Sequence, residues 1–549
     1  MEKKMANRYI IATLCAAALS IGASAQTFGG LTLGQSDFLI TDMVQYSQFS
    51  PNYGTARSTA MAGAFTSLGA DLSSMSINPA GLGMYRTSEI GLSLGMNFNS
   101  SKFSTPYGDT SRNKFALNNF GAAWNLYQSS GKLTSFTFGV SYNKLADYNY
   151  RLSAYTPNSV ASIADMFEQQ LSGTAHSRLT GEVYNTHPQH LWGAILAYKN
   201  YLIDPDPESA TEYITSSIAP DASVEHLSQV DSKGQMNEFN FSSGFNMRNK
   251  VYFGFSIGIV GLNHDKRVFY GESYTNNGLD LDASGNVIGV YDNRPSDVPL
   301  IYTDYIQRVT ASGAGVNFKA GVIYRPTTSL RLGFAIHTPT AMVIDRRYQG
   351  QMFVKGFDIP NDQYVESDGY VQYTDEMYSQ VEYYTPTRLM LGASYTFGQM
   401  AILSLDYEHT CYTGMRLDMN EGHVAKNGYK EAVKANFKGA NTLRAGIEVR
   451  PLPMLSLRAG YAYYGSMMRD KNAIFDNPIE STTSSVSAGV GFNFGRCALD
   501  LAYVCQSTQL STYDLFYYQN ASGSFTSASG ELTGKLLRQQ AIVTFSVKM

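Results

Sequence analysis

Apolar residues recur at every second position in many short segments of this chain. Ile90, Leu92, Leu94, Met96 and Phe98 alternate with Gly91, Ser93, Gly95 and Asn97, and Val251, Phe253, Phe255, Ile257 and Ile259 repeat the pattern around Gly254, Ser256 and Gly258. The same period marks residues 136–142, 316–324, 330–336, 389–397, 443–449, 455–463, 499–505 and 541–549, and more weakly 115–127, 237–247, 401–411 and 484–494. Period two belongs to extended strands, whose successive side chains point to opposite faces. About fourteen strands follow, each near the roughly 9–11 residues that cross a bilayer when tilted. In a soluble sandwich the apolar face would look inward and be opposed by a uniformly hydrophilic one. Here the alternate face carries Gly, Ser, Asn and scattered charge. Small and polar inside with apolar outside is what a lipid-embedded barrel requires.

Composition narrows the alternatives. Charged residues make up 16% of the 549, against roughly 25% in soluble domains. The chain has 39 Tyr and 29 Phe but 2 Trp, and its net charge of −4 is too balanced for a nucleic-acid partner. Mean hydropathy is −0.20, and beyond the N-terminus no run of 18 apolar residues could span a bilayer as a helix.

The gaps between strands alternate long and short. Long ones cover 99–114, 151–234, 268–305, 340–386, 412–440, 465–482 and 506–535; short ones fall near 129–131, 248–249, 326–328, 398–400, 451–453 and 495–496. Outer-membrane barrels sort their connections this way, with short periplasmic turns and longer external loops. Lys3, Lys4 and Arg8, the apolar stretch Tyr9–Ile21 and Ala23-Ser24-Ala25 read as a signal peptide over 1–25. Cys411, Cys497 and Cys505 then do not make a disulfide framework.

Two segments break the strand pattern. Residues 26–86 hold many small side chains, including Thr55-Ala56-Arg57-Ser58-Thr59-Ala60-Met61-Ala62-Gly63-Ala64-Phe65, and could fill a barrel lumen. Residues 151–234 contain helix signals: Asn158 or Ser159 as a cap before Val160, Ile163, Ala164, Phe167 and Leu171; Pro188 opening a second helix with Leu191, Trp192, Ile195 and Leu202; and Asp206-Pro207-Glu208 opening a third. Such helices would either offer a hydrophobic surface outside the cell or pack only against themselves.

The small-residue segment ending in Asn78-Pro79-Ala80 before the first strand resembles the N-terminal hatch of FadL-type long-chain fatty acid and hydrocarbon transporters. Gly321-Val322-Ile323-Tyr324-Arg325-Pro326 through Leu330-Arg331-Leu332-Gly333 is similar to that family's central strand-turn-strand, and the turn near Arg450-Pro451 matches as well. The resemblance covers the mature chain. It implies an all-β fold: a monomeric transmembrane antiparallel β-barrel of about 14 strands over 87–549, plugged by a hatch over 26–86, with 151–234 as a helical external insertion. It further implies ligand passage from an external groove to a lumenal pocket and a sideways exit at a kink in the third strand. Met549 stands where a terminal aromatic is common, and Phe545 could serve the assembly signal instead.

Residues out of phase with the apolar set should face the lumen. Among them are Lys319, Arg331, His337, Arg388, Arg444, Arg458 and Arg538, with Asp406, Glu408, Glu448 and Asp500. Excess guanidinium in a low-dielectric lumen suits a carboxylate head group, which Arg binds bidentately. The competing reading is that these charges pair across neighbouring strands and anchor the hatch. Catalytic and metal motifs are weak. Gly91-Leu92-Ser93-Leu94-Gly95 and Gly254-Phe255-Ser256-Ile257-Gly258 match a nucleophile elbow but lie mid-strand. Asp280–Gly285 mimics a calcium loop without its final Glu, and His187/His190 lack a third ligand. The expected function is passive uptake of hydrophobic small molecules, with no enzyme activity, cofactor or metal. The expected partners are an apolar ligand and outer-membrane lipid and lipopolysaccharide. A general porin, an outer-membrane lipase and a structural or adhesive barrel stay open.

Overall fold

The computed structural model describes residues 45–47, 53–103, 105–159, 161–187, 191–292, 294–367, 372–419, 430, 433–434, 437–467, 469, 482–510, 517–519, 525–527 and 534–549. The expected signal peptide lies outside them. Among the described residues, seventeen strand segments form the wall: β1 (Glu89–Phe103), β2 (Thr110–Gln128), β3 (Leu133–Asp147), β4 (Tyr150–Ser159), β5 (Ser223–Met247), β6 (Val251–Thr275), β7 (Leu300–Tyr324), β8 (Leu330–His337), β9 (Ala341–Asp358), β10 (Met377–Tyr384), β11 (Thr387–Phe397), β12 (Ala401–Cys411), β13 (Ala440–Leu452), β14 (Leu455–Tyr464), β15 (Thr483–Asn493), β16 (Cys497–Leu510) and β17 (Gly534–Lys548). Three pairs, β3/β4, β8/β9 and β10/β11, each continue one stave across a kink, which leaves fourteen antiparallel staves. Pairing of Glu89 with Lys548 through Phe103 with Gly534 closes the ring and removes both sheet edges.

Every segment with period-two alternation becomes part of a stave. The apolar set faces outward: Phe255, Ile257 and Ile259 on β6 and Val316, Phe318 and Val322 on β7 are exposed, while Ser256 and Lys319 between them are buried. The structure departs from expectation in length. β5, β6 and β7 each run 25 residues, far beyond a bilayer crossing. Beyond Ile259 the outward positions of β6 become Gly261, Asn263, Asp265 and Arg267, so the wall continues past the lipid belt where apolar alternation is no longer required.

The insertion after the third stave folds inward. Helices α3 (Ile163–Leu171), α4 (Val183–Thr186) and α5 (Trp192–Lys199) follow two short ones in the N-terminal segment, α1 (Ala56–Ala60) and α2 (Ser74–Ile77). Ser162, rather than Asn158 or Ser159, caps α3, in a capping box with Asp165. The Glu272 carboxylate of β6 accepts from Ile163 N at 2.7 Å and Ser162 Oγ at 2.6 Å, tying that helix start to the wall. Ile163, Phe167, Leu171, Trp192 and Ile195 pack with the inward Tyr270, Tyr274, Tyr305 and Tyr348 of the extended staves. The helices' apolar faces therefore make a closed core, not an exposed hydrophobic surface. The third expected helix is absent: Asp206 Oδ1 accepts Glu208 N at 2.9 Å, and the segment turns between Asp204–Pro205 and the paired Tyr213–Ile214.

Residues 53–86 occupy the lumen, and the wall is shaped to receive them. At ten staves a lumen-facing glycine meets this segment; a Cβ at Gly244 would stand 2.5 Å from Gly83 N, and one at Gly460 2.5 Å from Ala62 N. Side chains on both surfaces would separate them, so small residues in the plug and glycine in the wall are one requirement. Ala56 N, Ala62 N and Thr66 N donate to Thr544 Oγ1, Ser487 Oγ and Asp406 Oδ2 at 2.7, 3.1 and 2.8 Å. These bonds tie the plug's backbone to side chains of the wall.

Candidate functional site

Among the described residues the wall has one seam. β2 pairs with β1 as far as Ser101–Thr110, but with β3 only from Asn119–Asn143 to Gln128–Ser135. Residues 110–118 thus have no backbone partner on that side. The stave beside them has turned into the lumen. A register shift falls between Lys144 and Ala146, Asp147 Oδ1 accepts Asn149 N at 2.8 Å, and Tyr148 N donates to Gly234 O at 3.0 Å. At Gly234, with φ +142°, an added Cβ would collide with the β6 backbone. A bulge and an Asx turn thereby divert the chain, and β4 continues against β5 alone. Its carbonyls are met by side chains from β1 and β2: Asn99 Nδ2 donates to Asn149 O at 2.5 Å, and Ser101 Oγ and Thr110 Oγ1 donate to Arg151 O at 2.9 and 2.7 Å.

Inward of the kink lies an apolar zone. Leu145 and Tyr148 of the kink pack with Met236, Val260, Leu262, Met342, Ile344, Val381, Tyr383 and Met415, all buried. Toward the plug this zone meets a narrow cleft lined by Tyr53, Ile77, Lys144, Leu145, Arg388, Met390, Glu408 and Arg444. Arg388 Nε and Arg444 Nη2 share Glu408, donating to Oε1 at 2.6 Å and Oε2 at 2.5 Å, and Lys144 pairs with Asp147. Tyr53 lies 5.0 Å from the Lys144 ammonium. Lys144, Arg388 and Arg444 stand here among Asp147, Glu408 and Asp406, the last opposite Arg444 in the β12–β13 register.

The sequence-derived lumenal residues divide among several places. Arg388 and Arg444 meet at the cleft. Lys319 pairs with Glu238, two staves away across β6, and donates to Asn240 Oδ1 at 2.8 Å, while His337 stands opposite both Lys319 and Arg388 in the strand register. Arg458 bridges Glu448 at 2.7 Å and Asp500 at 2.5 Å, and Glu448 also takes Arg57 of the plug at 3.0 Å. His337 Nε2 lies 2.9 Å from Ile77 O. Asn78 Oδ1 accepts Ala80 N at 3.1 Å while its Nδ2 donates to Thr66 O at 2.7 Å, and Pro79 begins the 3-10 turn Pro79–Met84. Arg331 reaches only Met84 Sδ, at 3.8 Å, near the short-turn end. Sequence reasoning did not find Lys144, Asp147 or Tyr53; the loss of alternation after Tyr142 was the available signal.

The remaining motifs fall into ordinary structure. Ser93 Oγ lies 2.7 Å from Thr544 Oγ1, and Ser256 Oγ accepts from Ser242 Oγ at 2.8 Å, both mid-strand. Asp282 Oδ1 accepts Ser284 N at 2.8 Å at a hairpin tip between Leu279–Leu281 and Val287–Val290. His190 lies outside the described residues, among which no three His, Cys, Asp or Glu side chains gather as a metal set.

No protein-family model matches the chain, and no curated protein matches it either. Solved structures do. A Pseudomonas aeruginosa FadL homologue is 14% identical with a TM-score of 0.51, over 91% of this chain and 98% of that one. A deltaS2 mutant of the TodX monoaromatic hydrocarbon channel is 12% identical with a TM-score of 0.50, over 91% and 100%. The P. putida toluene transporter TodX is 12% identical with a TM-score of 0.48, over 90% and 98%. With its fourteen staves, its lumen filled by the preceding segment and its diverted third stave, this chain has the FadL-type fold.

Proposed function

We propose that the protein is an outer-membrane channel of a Gram-negative bacterium for passive uptake of hydrophobic small molecules, such as long-chain fatty acids or aromatic hydrocarbons. The observation that carries this reading is the unpaired edge of β2 at 110–118 beside a kink whose Leu145 and Tyr148 belong to a buried apolar cluster. An ion-conducting pore has no use for a break in its wall, whereas an apolar molecule needs one to reach the bilayer. Ligand approaches among the long loops, where α3–α5 must part from the extended staves, and passes into the apolar zone. It leaves sideways through the seam. Two solved structures with TM-scores of 0.51 and 0.50, a FadL homologue and a monoaromatic hydrocarbon channel, support the same substrate class.

No energy source is needed. Burying ~200 Å² of apolar ligand surface gains about 5 kcal/mol at 25 cal/mol per Å², enough to draw the ligand past the polar lipopolysaccharide layer. Lys144, Arg388 and Arg444 would hold a carboxylate head group, while Lys319 and Arg458 position the wall and plug. Residues 26–86 act as the hatch, and the barrel works as a monomer in contact with outer-membrane lipid and lipopolysaccharide. The test is titration of the refolded protein with fluorescent fatty-acid and hydrocarbon panels. Saturable binding that weakens on Met342→Asp supports the proposal; no saturable binding of any apolar ligand overturns it.

A further inference from the structure

Three short turns stand side by side at one end of the barrel: Arg248 N donates to Lys132 O at 3.1 Å, and Arg325 N to Lys250 O at 2.7 Å. They bring together Lys132, Arg248, Lys250 and Arg325, with Arg86 at the end of the plug donating to Asn249 Oδ1 at 2.6 Å. The turns themselves, residues 129–132, 248–250 and 325–329, contain no Asp or Glu. None of the five cations has a carboxylate partner among the described residues. Arg325 donates to Thr328 O at 2.8 Å, yet its Nε is enclosed without an acceptor. A buried guanidinium N–H without an acceptor is costly unless something outside the chain supplies one.

The neighbouring surface says what supplies it. On the outer faces of the same staves Phe136, Phe245 and Phe253 stack in a row, with ring centroids 4.9 and 4.8 Å apart. Phe245 precedes Arg248 by three residues and Phe253 follows Lys250 by three, which sets aromatic and cationic rows ~10 Å apart along the strands. A soluble anion would satisfy only the cations and an acidic protein would leave the rings in lipid. A molecule with a phosphate above and acyl chains beside it meets both.

We infer that this rim is a binding site for the phosphodiester head group of an anionic glycerophospholipid in the inner leaflet, its chains lying on the Phe136–Phe245–Phe253 row. The inference rests on the reading that the short turns face the periplasm. The test is native mass spectrometry of the detergent-purified protein with equimolar phosphatidylglycerol and phosphatidylethanolamine. Wild type retains phosphatidylglycerol with a preference of about tenfold or more, as clustered Lys and Arg at a membrane surface do. Arg248→Gln/Lys250→Gln/Arg325→Gln brings the two lipids to near parity, while Arg267→Gln/Arg308→Gln/Arg347→Gln at the other end keeps the preference, with both variants retaining heat-modifiable migration. Excess inorganic phosphate leaves wild-type retention unchanged. No preference in wild type, equal loss in both variants, or displacement by phosphate would overturn the site. Hydrocarbon binding measured on the same samples reports separately on the transport proposal.

Discussion

Arg112 on β2 forms an ion pair with Asp231 on β5, two staves away, across the place where the intervening stave has turned inward. Arg151 Nε of β4 reaches the same carboxylate at 3.1 Å, and Lys114 donates to Asn149 Oδ1 at 3.2 Å. Elsewhere among the described residues the wall is closed by backbone pairing; at the seam it is closed by side chains. A partly exposed pair contributes on the order of 1 kcal/mol, so Arg112→Ala should speed ligand release into lipid about two- to fivefold, read by stopped-flow transfer of a fluorescent fatty acid into vesicles. Unchanged release would mean that the clasp is not the barrier.

The glycine contacts make the plug's seat intolerant of size. At Gly254 a Cβ would meet the Pro79 carbonyl, and at Gly333 the Thr66 carbonyl, neither of which can move without the plug. Gly254→Val should cost about 1–3 kcal/mol by overpacking, lowering the temperature of the heat-modifiability transition. The same change on the outer face, Gly261→Val, where nothing is within contact, should not.

Glu448 holds three guanidinium groups, from Arg57, Arg450 and Arg458. Removing the carboxylate takes from Arg57 its carboxylate partner and leaves Arg458 with Asp500 alone, which costs about 3–5 kcal/mol. Glu448→Ala should therefore unfold at clearly lower denaturant, whereas Arg57→Met, which takes away one cation and leaves Glu448 paired, should be mild. Equal effects would show that the network does not seat the plug.

Helix α3 carries two acids whose ionisation opposes its docking. Burial pushes Asp165 up to about 6, with Glu272 adding to it, and burial pushes Glu168 up to about 7. Raised values mean that the docked helix binds protons the released one does not. Docking is therefore favoured fully below the ordinary carboxylate range and weakens as pH rises through about 6 and 7. Amide exchange over 163–171, corrected for its intrinsic pH dependence, should be slower at pH 5 than at pH 8. Asp165→Asn/Glu168→Gln should flatten that difference; exchange that quickens toward acid would contradict it.

The lipid belt was legible because lipid imposes apolar residues at alternate positions, and residues such as Phe253, Phe255 and Ile257 have no other reason to be spaced so. Above the belt the outward positions carry Asp231, Lys233, Asp265 and Arg267, so the 25-residue lengths of β5–β7 left no apolar trace. The third-stave kink depends on Asp147 bonding Asn149 and on Gly234 across the ladder, a pairing that alternation does not encode. For the same reason Arg388 and Arg444 were recognisable as lumenal, but their common partner Glu408 and their neighbour Lys144 became apparent only once the staves were in register.

The most direct measurement closes the seam. In a background with Cys411, Cys497 and Cys505 replaced by serine, Arg112→Cys and Asp231→Cys are joined by a short reducible thiol cross-linker, and transfer of a hydrophobic ligand into vesicles is followed before and after reduction. Transfer should stop when the link is closed and return when it is cut, with equilibrium binding retained in both states. Transfer at the same rate with the link closed would contradict lateral exit between β2 and the third stave.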